Sequence, residues 1–265
     1  MDDSPRLQLI RFAELDAFEN MALDLHLLRL CEDGRGSGFL RFYTWTRPTL
    51  SLGHFEETDV IDAARAQSDG VDIVRRPTGG RVVLHGDDLT YAIVLPKGPD
   101  TGLTETYRMI SECLVRGMSH LGLAVELQRG IAAKTEARRK PCFVSASRYE
   151  ITYRGRKLVG SAQKVGSASI LQHGSIALGP QYLDVALYMA CDDVERAVLR
   201  RDTQAATCCL HELLPSKPDA RTVASALIKG FSEMFVFTGD PREAEVFEEE
   251  VAPIAESLKS SISGP

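Results

Sequence analysis

Nothing in the chain approaches the roughly 18–20 consecutive apolar residues that cross a bilayer. The opening Met1-Asp2-Asp3-Ser4-Pro5 is acidic, where a signal peptide would be basic and then apolar. A cytoplasmic protein with no membrane association is the expectation. Its six cysteines (Cys31, Cys113, Cys142, Cys191, Cys208, Cys209) lack framework spacing, so they read as free thiols rather than disulfides. A surplus of positive charge is also missing: the net charge is −6, which argues against general nucleic-acid binding. There is no Gly-x-Gly-x-x-Gly, no Walker-type Gly-Lys-Ser/Thr, no internal repeat and no low-complexity linker. Those absences exclude the common nucleotide loops and leave one domain spanning residues 1–265 as the simplest organisation.

What is present reads as α+β, with mixed and antiparallel sheets flanked by helices. Phe18, Met21, Leu25 and Leu28 recur at helical spacing, predicting a helix from about Asp16 to Cys31 with Asn20 and Asp24 one turn apart on a neighbouring face. Strands are expected at Phe39–Trp45, Val71–Arg76, Val82–His85, Leu89–Leu95 and Leu123–Leu127. Gly86-Asp87-Asp88 between two of them suggests a hairpin. Helices are expected over Thr58–Gln67 and Thr104–Leu121. A second hairpin joins Tyr149–Tyr153 to Lys157–Gln163, followed by a strand over Ser169–Leu178. From about residue 182 the chain turns mainly helical, and Gly239-Asp240-Pro241 reads as a helix entry because proline suits the first helical position.

Two stretches carry candidate chemistry. In Arg75-Arg76-Pro77-Thr78-Gly79-Gly80-Arg81, a strand delivers two arginines into a glycine pair that brings backbone N–H groups close to a ligand. Guanidinium forks suit a phosphate or carboxylate, and a hairpin with solvated arginines fits the same residues equally well. The second stretch, Pro141–Leu178, gathers a thiol (Cys142), an amine (Lys157) and an imidazole (His173). Cys142 follows Arg138-Arg139-Lys140, whose positive field favours thiolate. Lys157 is either a solvated hairpin-tip lysine or an inward one whose pKa is depressed by desolvation and neighbouring arginines. His85 and His173 read first as hydrogen-bonded core histidines and only second as bases. Between Arg129 and Lys164 ten basic residues face two acidic ones, a solvated face or a docking patch for an acidic partner. Cys208-Cys209-x-His211 lacks a second ligand pair, so no metal is expected.

Taken together and in order, Asn20-Met21-Ala22-Leu23-Asp24, Trp45 with Ser51-Leu52-Gly53, the Arg75–Arg81 loop, Leu89-Thr90-Tyr91, Lys157–Gln163 and Leu171–Ile176 resemble the biotin/lipoate protein ligase superfamily. That superfamily also contains cysteine-dependent octanoyltransferases. Lipoate ligases usually carry a third glycine where this chain has Arg81, and a His-Asp-x-Gly-Asn run where it has His85-Gly86-Asp87-Asp88. Cys142 in Pro-Cys-Phe-x-x-x-Ser-x-Tyr-Glu resembles the nucleophile of the octanoyl-[acyl-carrier-protein]:protein N-octanoyltransferases.

The resemblance implies a class II synthetase-like fold and an acyltransferase of lipoate biosynthesis. Its donor would be octanoyl-acyl carrier protein. Its acceptor would be a lysine of a lipoyl-accepting domain, such as the glycine cleavage H protein or a 2-oxoacid dehydrogenase E2. It implies Cys142 and Lys157 as the catalytic pair and no cofactor. Substrate would be held by Arg75, Arg76, Thr78, Gly79, Gly80, His85, Gly160, Ser161, Ala162, His173 and Gly174, with His173 lining the site rather than acting as its base. The alternatives are an ATP-dependent lipoate or octanoate ligase working through an acyl-adenylate, with Cys142 incidental, and a non-catalytic acyl- or lipoyl-domain-binding relative.

Overall fold

The computed structural model describes residues 5–98, 102–128 and 150–262. Its spine is an eight-stranded mixed sheet. In spatial order its strands are β11 (Val236–Phe237), β1 (Arg6–Leu15), β2 (Phe39–Trp45), β6 (Asp88–Pro96), β10 (Ser169–Ala177), β9 (Arg156–Val165), β8 (Glu150–Tyr153) and β7 (Glu126–Gln128). The β11, β1 and β2 pairings are parallel and the rest antiparallel. A smaller sheet, β4 (Asp72–Arg75), β3 (Thr49–Leu52) and β5 (Val83–His85), completes the expected α+β architecture.

Strand periodicity explains the layers, since alternate residues face opposite sides of a sheet. Leu89, Tyr91, Ile93 and Leu95 of β6 and Leu40 and Phe42 of β2 pack with α3 (Leu103–Ser119) and α6 (Ala220–Ser232). Ala92 and Val94 of β6, Phe39, Tyr43 and Trp45 of β2 and Leu171 of β10 face α1 (Ala17–Glu32) and α7 (Glu248–Ile262). The first helix starts at a capping box, with the Asp16 carboxylate accepting from Glu19 N and Glu19 accepting from Asp16 N. On the other layer α3 and α6 touch backbone to backbone. A Cβ on Gly230 would lie 2.3 Å from Gly117 N, so only glycine fits that crossing.

Several expectations fail for tertiary reasons. Val82–His85 and Leu89–Leu95 do not form a hairpin: β5 pairs with β3 in the small sheet, and β6 pairs with β2 and β10 in the large one. Gly86, at φ +149°, and the Asp88 carboxylate that accepts its N–H set the divergence. The N-terminal strand β1 had no reading in the sequence, because its burial does not follow strict alternation. The helix expected over Thr58–Gln67 is a 3-10 turn at Thr58–Val60 and a short α2 (Ala63–Ser68) capped by Asp62. Pro241 does not open a helix. Arg242 instead pairs with β1, donating to Leu9 O and accepting from Arg11 N, and the α-helix begins at Glu248 after a 3-10 turn. Beyond residue 182 the described chain carries α4 (Asp193–Ala206), α5 (Leu210–Leu213), α6 and α7, and β11 adds an edge strand.

Candidate active site

A cleft lies between the small sheet and the α1 side of the large one. Met21, Tyr43, Trp45 and Val83 give it apolar walls. Ser51, Arg76, His85, Thr90, His173 and Ser175 add polar groups, and Gly160, Ser161, Ala162 and Gly174 form the strand-backed side.

Two chains of carboxylate, imidazole and hydroxyl border this cleft. Asp24 on α1 pairs with His173 Nδ1 at 3.0 Å, and His173 Nε2 meets Thr78 Oγ1 at 2.6 Å. The first chain thereby ties β10 to the loop of the small sheet. Asp88 pairs with His85 Nδ1 at 2.8 Å, and His85 Nε2 meets Ser51 Oγ at 2.9 Å. His85 also stacks on Trp45, with centroids 4.3 Å apart, and Trp45 Nε1 donates to Thr90 Oγ1 at 2.9 Å. Both histidines are thus hydrogen-bonded at both nitrogens and also line the cleft.

Burial opposes ionisation of Asp88, but His85 and the hydrogen bonds from Ser175 and Gly86 outweigh it and hold the carboxyl below its ordinary range. Burial pushes His173 below its ordinary value of 6.5, against the opposing pull of Asp24. The unfolded chain therefore binds a proton that folded His173 refuses. Stability contributed by this residue is present above pH 6.5 and is lost as pH falls from there toward the folded-state value. Burial lowers His26 in the same direction. The urea midpoint is expected to fall between pH 7.5 and pH 5.5, and to fall less in His173→Asn. An unchanged slope in that variant contradicts the assignment.

The arginines of the glycine loop do something the sequence did not suggest. Arg75 Nη1 donates to the carbonyls of Gly53 and Glu56, at 2.9 and 2.5 Å. Arg76 donates to the carbonyls of Ser51, Gly79 and Arg81, at 2.6, 3.0 and 2.7 Å. Both staple the loop's backbone. Gly80 has φ +98°, and a Cβ on Gly53 would sit 1.9 Å from Gly80 O, so the two loop strands cross at glycines. Gly79 faces open space. Arg75, Thr78, Gly79 and Gly80 shape the loop, while Arg76, His85, Gly160, Ser161, Ala162, His173 and Gly174 reach the cleft.

Lys157 is not a solvated tip residue. It is buried, and its Nζ donates to Glu150 Oε1 at 2.7 Å. A register shift pairs Ile151 with Val159 but Thr152 with Lys157. Lys157 consequently shares a sheet face with Gly160, Ala162 and His173, because Gly160 and Ala162 pair with Ser175 and His173. Arg156 bonds Glu212 at 2.7 Å, so the expected basic patch loses Arg156 and Lys157 to ion pairs within the fold. Cys142 lies outside the described residues, as does most of that patch.

Sequence reasoning missed Ser51, Asp24, Arg41 and Glu150 as site residues and left open which acid partners His85. Asp88 does, through the His-x-x-Asp spacing, whereas Asp87 O accepts from Leu178 N and the Asp87 carboxylate pairs with Lys217. Among the described residues no cluster of three His, Cys, Asp or Glu could hold a metal, and no helix is long and apolar enough to cross a membrane.

In fold, this large mixed sheet with its small second sheet is similar to solved lipoate–protein ligases. The crystal structure of lipoate-protein ligase A bound with ATP aligns over 96% of this chain and 94% of its own, with a TM-score of 0.72 at 21% identity. The bipartite lipoate protein ligase of Thermoplasma acidophilum, solved in a study of that ligase and its E2 lipoyl domain, aligns over 96% of this chain and 91% of its own, with a TM-score of 0.73 at 21% identity. At such identities the likeness establishes the fold.

Membership follows from sequence: residues 16–232 match the lipoyl protein ligase A/B catalytic domain, and the chain belongs to that family. Its relatives include octanoyltransferase LipM of Carboxydothermus hydrogenoformans, 39% identical over 82% of each chain. Octanoyltransferase LipM of Exiguobacterium sibiricum is 35% identical over 96% of each.

Proposed function

We infer that this chain is an octanoyltransferase of lipoate biosynthesis, moving an octanoyl group from octanoyl-acyl carrier protein to a lysine of a lipoyl-accepting domain, such as the glycine cleavage H protein or a 2-oxoacid dehydrogenase E2. The observation that carries this reading is the likeness, over 82–96% of the chain, to relatives that are octanoyltransferases. Met21, Tyr43, Trp45 and Val83 offer apolar walls to an acyl chain, and each methylene buried there contributes about 0.8 kcal/mol.

In the proposed reaction the Cys142 thiolate attacks the donor thioester. A new carbon–sulfur bond forms, and the carrier's thiolate leaves. The amine of the acceptor lysine then attacks the octanoyl-Cys142 thioester, forming the amide and releasing Cys142. Splitting the transfer this way replaces one difficult step with two easier ones. Lys157, a hydrogen-bond donor held by Glu150 on the cleft's face of the sheet, polarises the thioester carbonyl. Past Val159 the outer edge of β9 has no strand partner among the described residues, so its backbone N–H groups can serve the oxyanion. The thioester is already activated, and the scheme uses no ATP. Basic residues of the Arg129–Lys164 stretch would steer acidic carrier proteins, chiefly through the association rate.

The test is to incubate the protein with octanoyl-acyl carrier protein in the absence of ATP and weigh it. A mass gain of one octanoyl group is expected, absent in Cys142→Ser. No adduct, together with ATP-dependent modification of a lipoyl domain, would sink the reading in favour of a ligase.

A further inference from the structure

The two carboxylate–imidazole–hydroxyl chains are not equivalent. Thr78 ends the first away from the cleft lining, whereas Ser51 and His85 of the second both line the cleft. Asp24 in the first chain is already neutralised by Arg41 at 3.0 Å. Asp88 in the second has no lysine or arginine partner among the described residues. It accepts instead from His85, Thr90, Ser175 and the Gly86 N–H, at 2.8, 3.2, 2.6 and 3.0 Å. Its charge is therefore left to stabilise an imidazolium on His85, the role a buried carboxylate plays behind a catalytic histidine.

We propose that Ser51, His85 and Asp88 form the proton relay of the amide-forming step, with Ser51 as a further catalytic residue, His85 as the proton acceptor and Asp88 as the positioning residue. The inference rests on the acyl-transfer reading above.

The hydrogen-bond directions follow from the partners. A carboxylate can only accept, so His85 Nδ1 donates to Asp88 and Nε2 is left to accept from the Ser51 hydroxyl. Arg76 Nη1 donates to Ser51 Oγ at 3.2 Å and to Ser51 O at 2.6 Å. That contact occupies one Ser51 lone pair, and the second is available to a donor in the cleft.

In the step itself the acceptor amine forms the carbon–nitrogen bond while the carbon–sulfur bond to Cys142 breaks and its electron pair leaves with the thiolate. The nitrogen's excess proton passes to Ser51 Oγ as Ser51 gives its own hydrogen to His85 Nε2. The imidazolium then gives that proton to solvent while Cys142 is released as the thiolate, so the relay ends as it began. No oxidant or other co-reactant is required.

The two half-reactions separate this relay from a purely structural clamp. Octanoyl-enzyme is prepared from octanoyl-acyl carrier protein with the wild type, Ser51→Ala and His85→Gln, and each is presented with a lipoyl-accepting domain under single-turnover conditions. All three are expected to form the thioester. Transfer to the lysine is expected to fall by about 10²–10⁴-fold in both variants. Hydroxylamine in large excess takes up the attacking nitrogen's proton with a second hydroxylamine molecule, so it should discharge the variants' thioesters at the wild-type rate. Wild-type transfer rates in both variants would overturn the relay. A parallel loss of lysine transfer and hydroxylamine discharge would overturn it too, by assigning these residues to the shape of the cleft. If the wild type forms no octanoyl-enzyme, the transferase reading itself fails, a result distinct from either. Ser51→Ala removes a single oxygen, so the decisive variant keeps the packing of the strand.

Discussion

Arg41→Met is expected to lower the unfolding free energy by about 3–5 kcal/mol, the cost of stranding a buried charge by removing its partner. The side chains of Arg41 and Asp24 are 2% and 0% exposed. One guanidinium nitrogen donates to Asp24 Oδ1 and Asn20 O, at 3.0 and 3.1 Å, and the other to Asn20 Oδ1. The same group lies 3.8 Å above the Tyr43 ring, whose hydroxyl donates to Asp24 Oδ2 at 3.2 Å. With methionine at 41, the Asp24 carboxylate keeps only Tyr43 and His173, neither of which supplies a permanent positive charge. Against a total stability of about 5–15 kcal/mol for a domain, that loss is a large share.

Urea unfolding at constant m measures it. The double variant Arg41→Met/Asp24→Asn should recover part of the loss, since a neutral amide costs less to bury. A drop of under about 1 kcal/mol in the single variant would mean that the cluster contributes far less than a buried ion pair is expected to. The effect reaches the cleft, because Asp24 also orients His173 and through it Thr78.

The second large effect is on rate. Lys157→Met is expected to slow octanoyl transfer by about 10²–10⁴-fold, the range for a positioned proton-donating or polarising group. Lys157→Arg should not restore it. The guanidinium is a planar fork, whereas the ammonium is a compact point charge on a flexible stem, and at a buried pair the two do not substitute for one another. Single-turnover transfer from the octanoyl-enzyme gives the rate, and the urea midpoint shows whether the fold survives. A Lys157→Met enzyme within tenfold of wild type would remove Lys157 from the chemistry. If the midpoint collapses along with the rate, the residue's contribution lies in holding β8 to β9 through Glu150.

Local patterns made the long helices α1 and α3 legible. The Phe18–Leu28 periodicity and the apolar repeat of α3 depend only on neighbours a turn apart, and those helices lie where they were expected. Strands were read where they alternate or are rich in β-branched and aromatic residues, as in β2 and β10. They were missed where burial is irregular, as in β1. The hairpin expected around Gly86 failed because a Gly-Asp-Asp turn is compatible with strands that return to each other and with strands that part. Which occurs depends on partners remote in sequence, β3 for one and β10 for the other.

The site was legible in its residue types and not in its connections. His85 and His173 were read first as hydrogen-bonded core histidines, and the carboxylates behind them are three and 149 positions away. Only the first of these spacings was open to inspection in the sequence. The arginines of the glycine loop fitted an anionic ligand and a solvated hairpin equally well, since guanidinium suits both. Backbone carbonyls compete for the same donors, and the crossing of Gly53 and Gly80 puts those carbonyls within reach. The basic stretch was counted by sign alone, and the count could not reveal that Lys157 and Arg156 would be consumed by Glu150 and Glu212.

By itself the sequence determined the class of fold, the order of motifs that marks the family, and the presence of a thiol and an amine in one segment, because those are properties of residue identity and short-range periodicity. Tertiary structure alone decided that Lys157 is buried against Glu150, that Asp88 rather than Asp87 serves His85, that Arg41 neutralises Asp24, and that only one of the two histidine chains presents its hydroxyl to the cleft. The reason is the same in each case. A buried polar group must find a partner in three dimensions, and the partner it finds is set by which strands and helices pack together.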